Sequence, residues 1–472
     1  SNNWRKIFFD YAQNDIQNTF WVFAKKILYF SKKKQMAKKP LSYFKINRFI
    51  NEEAYGGILL IIFTLVALIW ANSSFYDYYT YLWHDMKVGV SWGEFSMNYS
   101  LQHWINDGLM ALFFFVIGLE IKREIVGGEL SSLKKASLPI AAAVGGMLIP
   151  ALFYVIVTIN NPEFIEGWGV PMATDIAFVL GLLAMLGKRV PLNLKIFLTA
   201  LAIADDLGAV TVIAVFYTET INYNELMSGA FFLGVLTIAN LIGVRKAAFY
   251  VIVGVLGVWS AFVFSGVHAT IAGVLIALTI PARTKVGEAQ YVKKLTDYLN
   301  KFKMEAVDEN SSLLTKKQVH LIANIETLSD KAHTPLQKIE HALHPVTAYF
   351  ILPVFALSNA GIHLEGSIVE LLLHPISLGI IAGLVLGKFV GIALLSRLAV
   401  KLKLAVLPEG VSWKQIYGAA FLAGIGFTMS IFISDLAFKE EELKQIAKIG
   451  IMAASVLSAT IGLAILIFNK DK

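Results

Sequence analysis

Long apolar stretches recur along this chain from Tyr55 onward, with starts near residues 55, 104, 137, 169, 193, 224, 247, 266, 344, 376, 415 and 446. Runs of roughly 17 to 25 such residues match a bilayer core of ~30 Å. They are continuous and rich in Leu, Ile, Gly and Ala, whereas a membrane barrel alternates apolar and polar positions over short segments. The pattern predicts an all-α polytopic membrane protein with twelve transmembrane helices, eight within 51–282 and four within 341–472.

Three segments break the pattern. In residues 1–50, Trp4, Ile7, Phe8 and Tyr11, then Phe20, Phe23, Ile27 and Phe30, fall at helical spacing among lysines. This predicts a basic amphipathic helix lying on the inner leaflet and touching membrane lipids. The chain opens with SNN, and Met36 is an alternative native start, in which case residues 1–35 are not native. Residues 283–340 are polar and contain the amphipathic pieces YVKKLTDYLNKF and KKQVHLIANIETL, which predict short cytoplasmic helices under the bundle. Residues 86–100, MKVGVSWGEFSMNYS, are β-prone around Gly93 and predict an outer hairpin, two of which could pair between protomers.

Composition agrees: 56% of the 472 residues are hydrophobic and 16% charged, which excludes an ordinary soluble domain. With no cysteine there is no disulfide or thiolate metal site. The net charge of +7 is explained by location. Lys122, Arg123, Lys134 and Lys135 follow the second span, Lys188, Arg189 and Lys195 the fourth, Arg245 and Lys246 the sixth, and Arg397, Lys401, Lys403 and Lys414 the tenth. Loops 159–170 and 361–375 have acids but no Lys or Arg. The positive-inside rule then places both termini in the cytoplasm, and nucleic acid is not a partner.

Charged residues in mid-span carry the chemistry, because desolvation selects against charge there. Asp205 and Asp206 are adjacent in LKIFLTALAIADDLGAVTVIAVFY, about 100° apart around a helix, so both can face one cavity. Thr174 and Asp175 follow Pro171 in VPMATDIAFVLG, and Lys388 lies among glycines in GLVLGKFVGIALL. Taken singly, each acid could be a structural hydrogen-bonding residue and Lys388 could snorkel. Two spans look breakable, 168–187 and 416–434, the latter through Gly424 and Gly426; membrane glycines also serve close packing. Paired broken helices mark transporter sites, with Asp175 suited to neutralise half-helix N-termini and Lys388 their C-termini.

The stretches ATDIAFVLGLLAMLGKRVPLNLKIFLTALAIADDLGAV, SGVHATIAGVLIA, EHALHPVTAYFILPVFALSNAGI, GIGFTMSIFI and INDGLMALFFFVIGLEIKREI closely resemble NhaA-type Na+/H+ antiporters, in order over roughly 50–465. The resemblance implies the NhaA fold: inverted repeats, two unwound helices crossing at mid-membrane, a bacterial cytoplasmic (inner) membrane location and commonly a homodimer through the 86–100 hairpin. It implies a pH-regulated, electrogenic exchange of Na+ or Li+ for H+, without cofactor or enzymatic activity. Asp206 resembles the principal cation-binding aspartate and Asp205 its neighbour, which exchanges a salt bridge with Lys388 for a role in ion binding or proton transfer. Thr174 and Asp175 match the unwound-helix pair, and Asp107 an acid at the outer end of the second helix. Glu120, Arg123, Glu124, Glu340, His341 and His344 resemble the pH-sensing region; a plain surface ion cluster is the other reading. His268 matches a family histidine and suits a packing role equally. The extension 1–50 and the enlarged 283–340 loop depart from the family pattern. Rivals are a sodium-coupled symporter of a small organic anion, a channel, and an intramembrane aspartic protease, whose aspartates lie on separate helices in motifs such as GxGD that are not seen here.

Overall fold

A computed structural model describes residues 41–92, 95–218, 221–305, 313–363 and 367–468. The chain divides into residues 1–50, of which only 41–50 are described and are helical, and a large unit of residues 51–472. The amphipathic helix expected within residues 1–40 lies outside the described residues.

The longer helices are α1 (Leu41–Ala71), α2 (Met110–Gly127), α3 (Leu133–Thr158), α4 (Ile176–Met185), α5 (Leu192–Phe216), α6 (Tyr223–Leu241) and α7 (Ala247–Ser265). There follow α8 (Ala269–Thr279), α9 (Glu288–Met304), α10 (Lys316–Ala332), α11 (Pro335–Asn359), α12 (Pro375–Lys401), α13 (Trp413–Leu422), α14 (Phe427–Ala437) and α15 (Glu441–Phe468). Seven of these are long and apolar enough to cross a membrane, or nine if each of two bent pairs is one span. The three other expected spans also form helices. Tyr55–Ala71 and Ala269–Thr279 are shorter, and α2, at 18 residues, carries Glu120, Lys122, Arg123 and Glu124 in its second half. Length and composition alone thus support seven to nine crossings among the described residues, in a multi-pass membrane protein.

Local sequence explains the helix ends. Thr334 with Gln337 and Ser412 with Gln415 form capping boxes that start α11 and α13, each satisfying two end groups reciprocally. Gly266, at φ 79°, ends α7 in the left-handed region, which glycine enters without a Cβ penalty. Strands β1 (Lys87–Trp92) and β2 (Phe95–Ser100) pair antiparallel from Lys87↔Ser100 to Trp92↔Phe95, the hairpin expected there. In the 283–340 stretch both amphipathic pieces are helical, as α9 and α10, and pack on each other.

The bundle is held by close helix contacts: α3 lies along α12, α2 along α8, and α15 against both α13 and α12. Small residues permit this. A Cβ built on Gly391 of α12 would stand 2.0 Å from the carbonyl oxygen of Gly145 on α3, and one on Gly387 would stand 2.6 Å from Cα of Pro150. Such contacts suit helices in lipid, where packing rather than water exclusion drives association. The outer surface is apolar, with Leu148, Ile156, Phe231, Leu256 and Val456 exposed, while the charged residues of mid-span point inward.

Candidate functional site

Two pairs of apolar helical segments are each bent sharply at a short break. The 3₁₀ segment Pro162–Met172 and α4 meet at 46° across a gap of three residues, and α13 and α14 meet at the same angle. Pro171 accounts for the first break, since proline lacks the donor that would continue the ladder. Gly424 accounts for the second: a Cβ there would stand 2.2 Å from the carbonyl oxygen of Leu384, so only glycine lets the chain pass α12. The two breaks satisfy each other's backbone. Asp175 N–H donates to the carbonyl of Ile425 at 2.7 Å, and the Thr174 hydroxyl lies 2.8 Å from the carbonyl of Ala423. Irregular backbone in a membrane survives where it is buried in this way.

The Asp175 carboxylate serves both half-helices that begin at the breaks. Its Oδ1 accepts from Phe178 N in the first turn of α4 at 3.0 Å, and its Oδ2 accepts from the N–H and hydroxyl of Thr428 in α14, at 3.1 and 2.5 Å. Two partially positive helix ends thus meet one negative charge, as expected. The Lys388 ammonium donates to Asp205 Oδ2 at 2.6 Å, with both side chains wholly buried, the pairing that the family resemblance implies. The Thr174 hydroxyl is also 3.0 Å from that oxygen, and so lies between Asp205 and the Ala423 carbonyl at the C-terminal end of α13. A π turn, Ala382–Gly387, immediately precedes Lys388; its extra residue re-aims the side chains that follow it, a device common at functional sites.

Asp206 has no ammonium of its own among the described residues. It is buried, and its Oδ1, like Asp205 Oδ1, accepts no hydrogen bond among the described residues. It lines a small cavity of about 10 Å³, together with Thr174, Asp175, Thr428, Phe113 and Met429. Burying a charge without partners is strongly unfavourable, so the cavity presents oxygen atoms that a proton or a hard cation would neutralise.

A second polar group lies between α2 and α11. Arg123 pairs with Glu340 and with Glu124 at 3.1 Å, and His344 Nδ1 is 3.6 Å from Glu120. His341 does not join the others: one helical step from Glu340, it lies on the exposed face of α11. Asp107 sits in a π turn before α2, 3.2 Å from His103, and its carbonyl accepts from Trp259 Nε1 at 3.1 Å. His268 Nε2 donates to the carbonyl of Tyr217 at 2.7 Å where α8 begins, a packing contact.

Sequence reasoning missed Thr428, although the quoted GIGFTMSIFI contains it, because its hydroxyl gains meaning only when the breaks meet. It also missed a second buried pair, Asp435 of α14 and Lys448 of α15, 3.1 Å apart. The rule that singled out Lys388 would have found both, since each stands in an apolar run.

Helices with lipid-facing apolar surfaces around a sealed group of carboxylates, hydroxyls and one ammonium define a multi-pass membrane protein with an ion-sized polar centre. The family profile described as "Na+/H+ antiporter 1" matches residues 47–466. The chain is 50% identical over 411 residues to a Na(+)/H(+) antiporter NhaA of Oleidesulfovibrio alaskensis, covering 87% of this chain and 91% of the relative. It is 51% identical over 417 residues to the Na(+)/H(+) antiporter NhaA 1 of Psychromonas ingrahamii (87% and 94%), and 44% identical over 429 residues to NhaA of Helicobacter pylori strain HPAG1 (90% and 96%). The chain belongs to the NhaA family of Na+/H+ antiporters. These relatives are named as transporters rather than enzymes.

Proposed function

We propose that this protein exchanges cytoplasmic Na+ or Li+ for external H+ by alternating access at Asp205 and Asp206. The observation that carries the reading is the cavity beside Asp206, where a buried carboxylate oxygen has no donor among the described residues while the adjacent Asp205 is held by Lys388. Asp206 is the principal cation ligand, supported by Thr174, Asp175 and Thr428 oxygens. Asp205 leaves Lys388 to complete the cation's shell or to take a proton. Cation and protons exclude one another because either neutralises the same oxygens, and the empty charged site crosses poorly. More than one proton loads per monovalent cation, so the cycle moves net charge and responds to membrane potential at about 2.3 kcal/mol per charge per 100 mV.

On this reading the twelve apolar helices all cross the membrane as two inverted repeats, each contributing one broken, crossing helix. Both termini and α9–α10 lie in the cytoplasm, by the distribution of basic loops, and the membrane is the bacterial inner membrane. The Glu120, Arg123, Glu124, Glu340 and His344 group senses cytoplasmic pH, histidine titrating near neutrality. The β1–β2 hairpin pairs with its counterpart in a homodimer. The symporter reading fits less well: pockets for organic ligands typically span about 300–1,000 Å³, and the cavity here is smaller.

The test is proton flux in proteoliposomes of the purified protein, followed with a pH dye after addition of Na+, Li+, K+ or choline. Movement driven by Na+ and Li+ but not by K+ or choline is expected. No flux with any cation between pH 6 and 9 would sink the reading.

A further inference from the structure

The pair Asp435–Lys448 stands apart from the site described above and has no part in the exchange cycle as written. Both side chains are only 8% exposed, and their charged atoms are 3.1 Å apart. Asp435 lies in the last turn of α14, where the negative pole of the helix disfavours a carboxylate. Neither of its oxygens accepts a directed hydrogen bond among the described residues, so the nearby ammonium is what balances the charge. Exchanging a buried pair of this kind for apolar residues is often neutral or stabilising. Its physical effect is therefore selective rather than cohesive: opposite charges favour the one placement of α14 on α15 that brings them together.

That placement reaches the cation site. At the opposite end of α14, the N–H of its first residue, Phe427, donates to Ser455 Oγ of α15 at 3.3 Å. Ser455 lies seven residues after Lys448, on the same face of α15. The terminal helix thus holds α14 at both ends. Between these two anchors, Thr428 clasps the Asp175 carboxylate and lines the cavity of Asp206. A shift of α14 off α15 cannot leave that cavity unchanged.

We infer that Asp435 and Lys448 are positioning residues that latch α14 against α15 and so set the fraction of molecules in which the cation cavity is assembled. The inference rests on the transport reading for its kinetic consequence but not for its structural one. Apparent affinity falls by the fraction of competent molecules, so loosening the latch raises the Na+ concentration needed for half-maximal flux more than it lowers the maximal rate.

Because the chain has no cysteine, Ile176→Cys, at the cavity wall, reports its opening through the rate of maleimide labelling. We would compare Asp435→Asn, Lys448→Met, the double Asp435→Asn/Lys448→Met, and the exchange Asp435→Lys/Lys448→Asp, each with and without the cysteine. The single and double variants should label at least about fivefold faster and show a KM for Na+ raised about tenfold, and the exchange should return both toward the native values. The double variant leaves no uncompensated charge, so it folds even where a single variant does not. Native labelling rate and native KM in the double variant would overturn the latch. If the unaltered protein shows no Na+-driven flux, the transport reading fails, and labelling alone still decides whether α14 is latched.

Discussion

In the middle of the bundle one ammonium, Lys388, faces Asp205, with Asp206 next in the chain and Asp175 at the adjoining breaks; between α2 and α11, Arg123 lies between Glu124 and Glu340 while His344 faces Glu120. The first group is sealed, Lys388 being wholly buried, whereas the Arg123 side chain is 33% exposed. The first also leaves carboxylate oxygens without donors, and in the second each acid has a basic partner. A deficit of positive charge in a sealed place must be met by something mobile, a proton or a cation. The second group also holds more acids than bases, but each acid has a basic partner and solvent reaches the group to screen what remains. On the proposed reading, the contrast separates where exchange occurs from where it is adjusted.

The sharpest way to break this contrast is Asp206→Asn, which removes the unmatched charge with little change of shape. Na+-driven proton flux should fall to the level of empty liposomes, and normal flux would mean that the deficit is not the engine. Next in size is Lys388→Ala. Removing one partner of a buried pair costs about 3–5 kcal/mol, so thermal unfolding in detergent should begin several degrees lower, and Asp205→Asn combined with Lys388→Met should recover most of the loss. Gly391→Ala tests whether helix approach maintains the sealed side: overpacking there costs about 1–3 kcal/mol, seen as a lower melting temperature together with a weaker response to Na+. The smallest effect belongs to Glu340→Gln. Glu340 is buried, but Arg123 is one-third exposed and keeps Glu124, so the loss of stability should be about 1–2 kcal/mol, between the exposed and the buried limits, and the maximal rate should stay within about twofold. If the group adjusts transport, removing one of its charges should shift the pH profile of activity measurably. An unshifted profile would reduce this group to a structural ion cluster.

How much of this was legible in the sequence depends on whether the signal is local. Asp205, Asp206 and Lys388 stand out because a charge in an apolar run is conspicuous on its own, and Pro171 and Gly424 announce breaks by their own chemistry. The pairing of Lys388 with Asp205 was expected from family likeness, and no pattern along the chain encodes a distance between residues 183 positions apart. Thr428 was illegible because a threonine in a membrane helix ordinarily bonds its own backbone; only the meeting of two breaks turns it toward Asp175. His341 was grouped with Glu340 and His344 from family likeness, which carries no direction around the helix, and neighbours on a helix face about 100° apart, so it lies on the exposed face. Short or charged spans such as α8 and α2 pass as crossings by their order in the chain, not by length.

The glycine contact between α3 and α12 has a mechanical consequence. Backbones that touch at Gly145–Gly391 and Pro150–Gly387 have no side chains between them to act as bearings, so the two helices form one strut. Lys388 is the residue after Gly387 and is bolted to that strut. On the proposed cycle the ammonium would then be the fixed post, and the carboxylates on α5 and the broken segments would move to and from it.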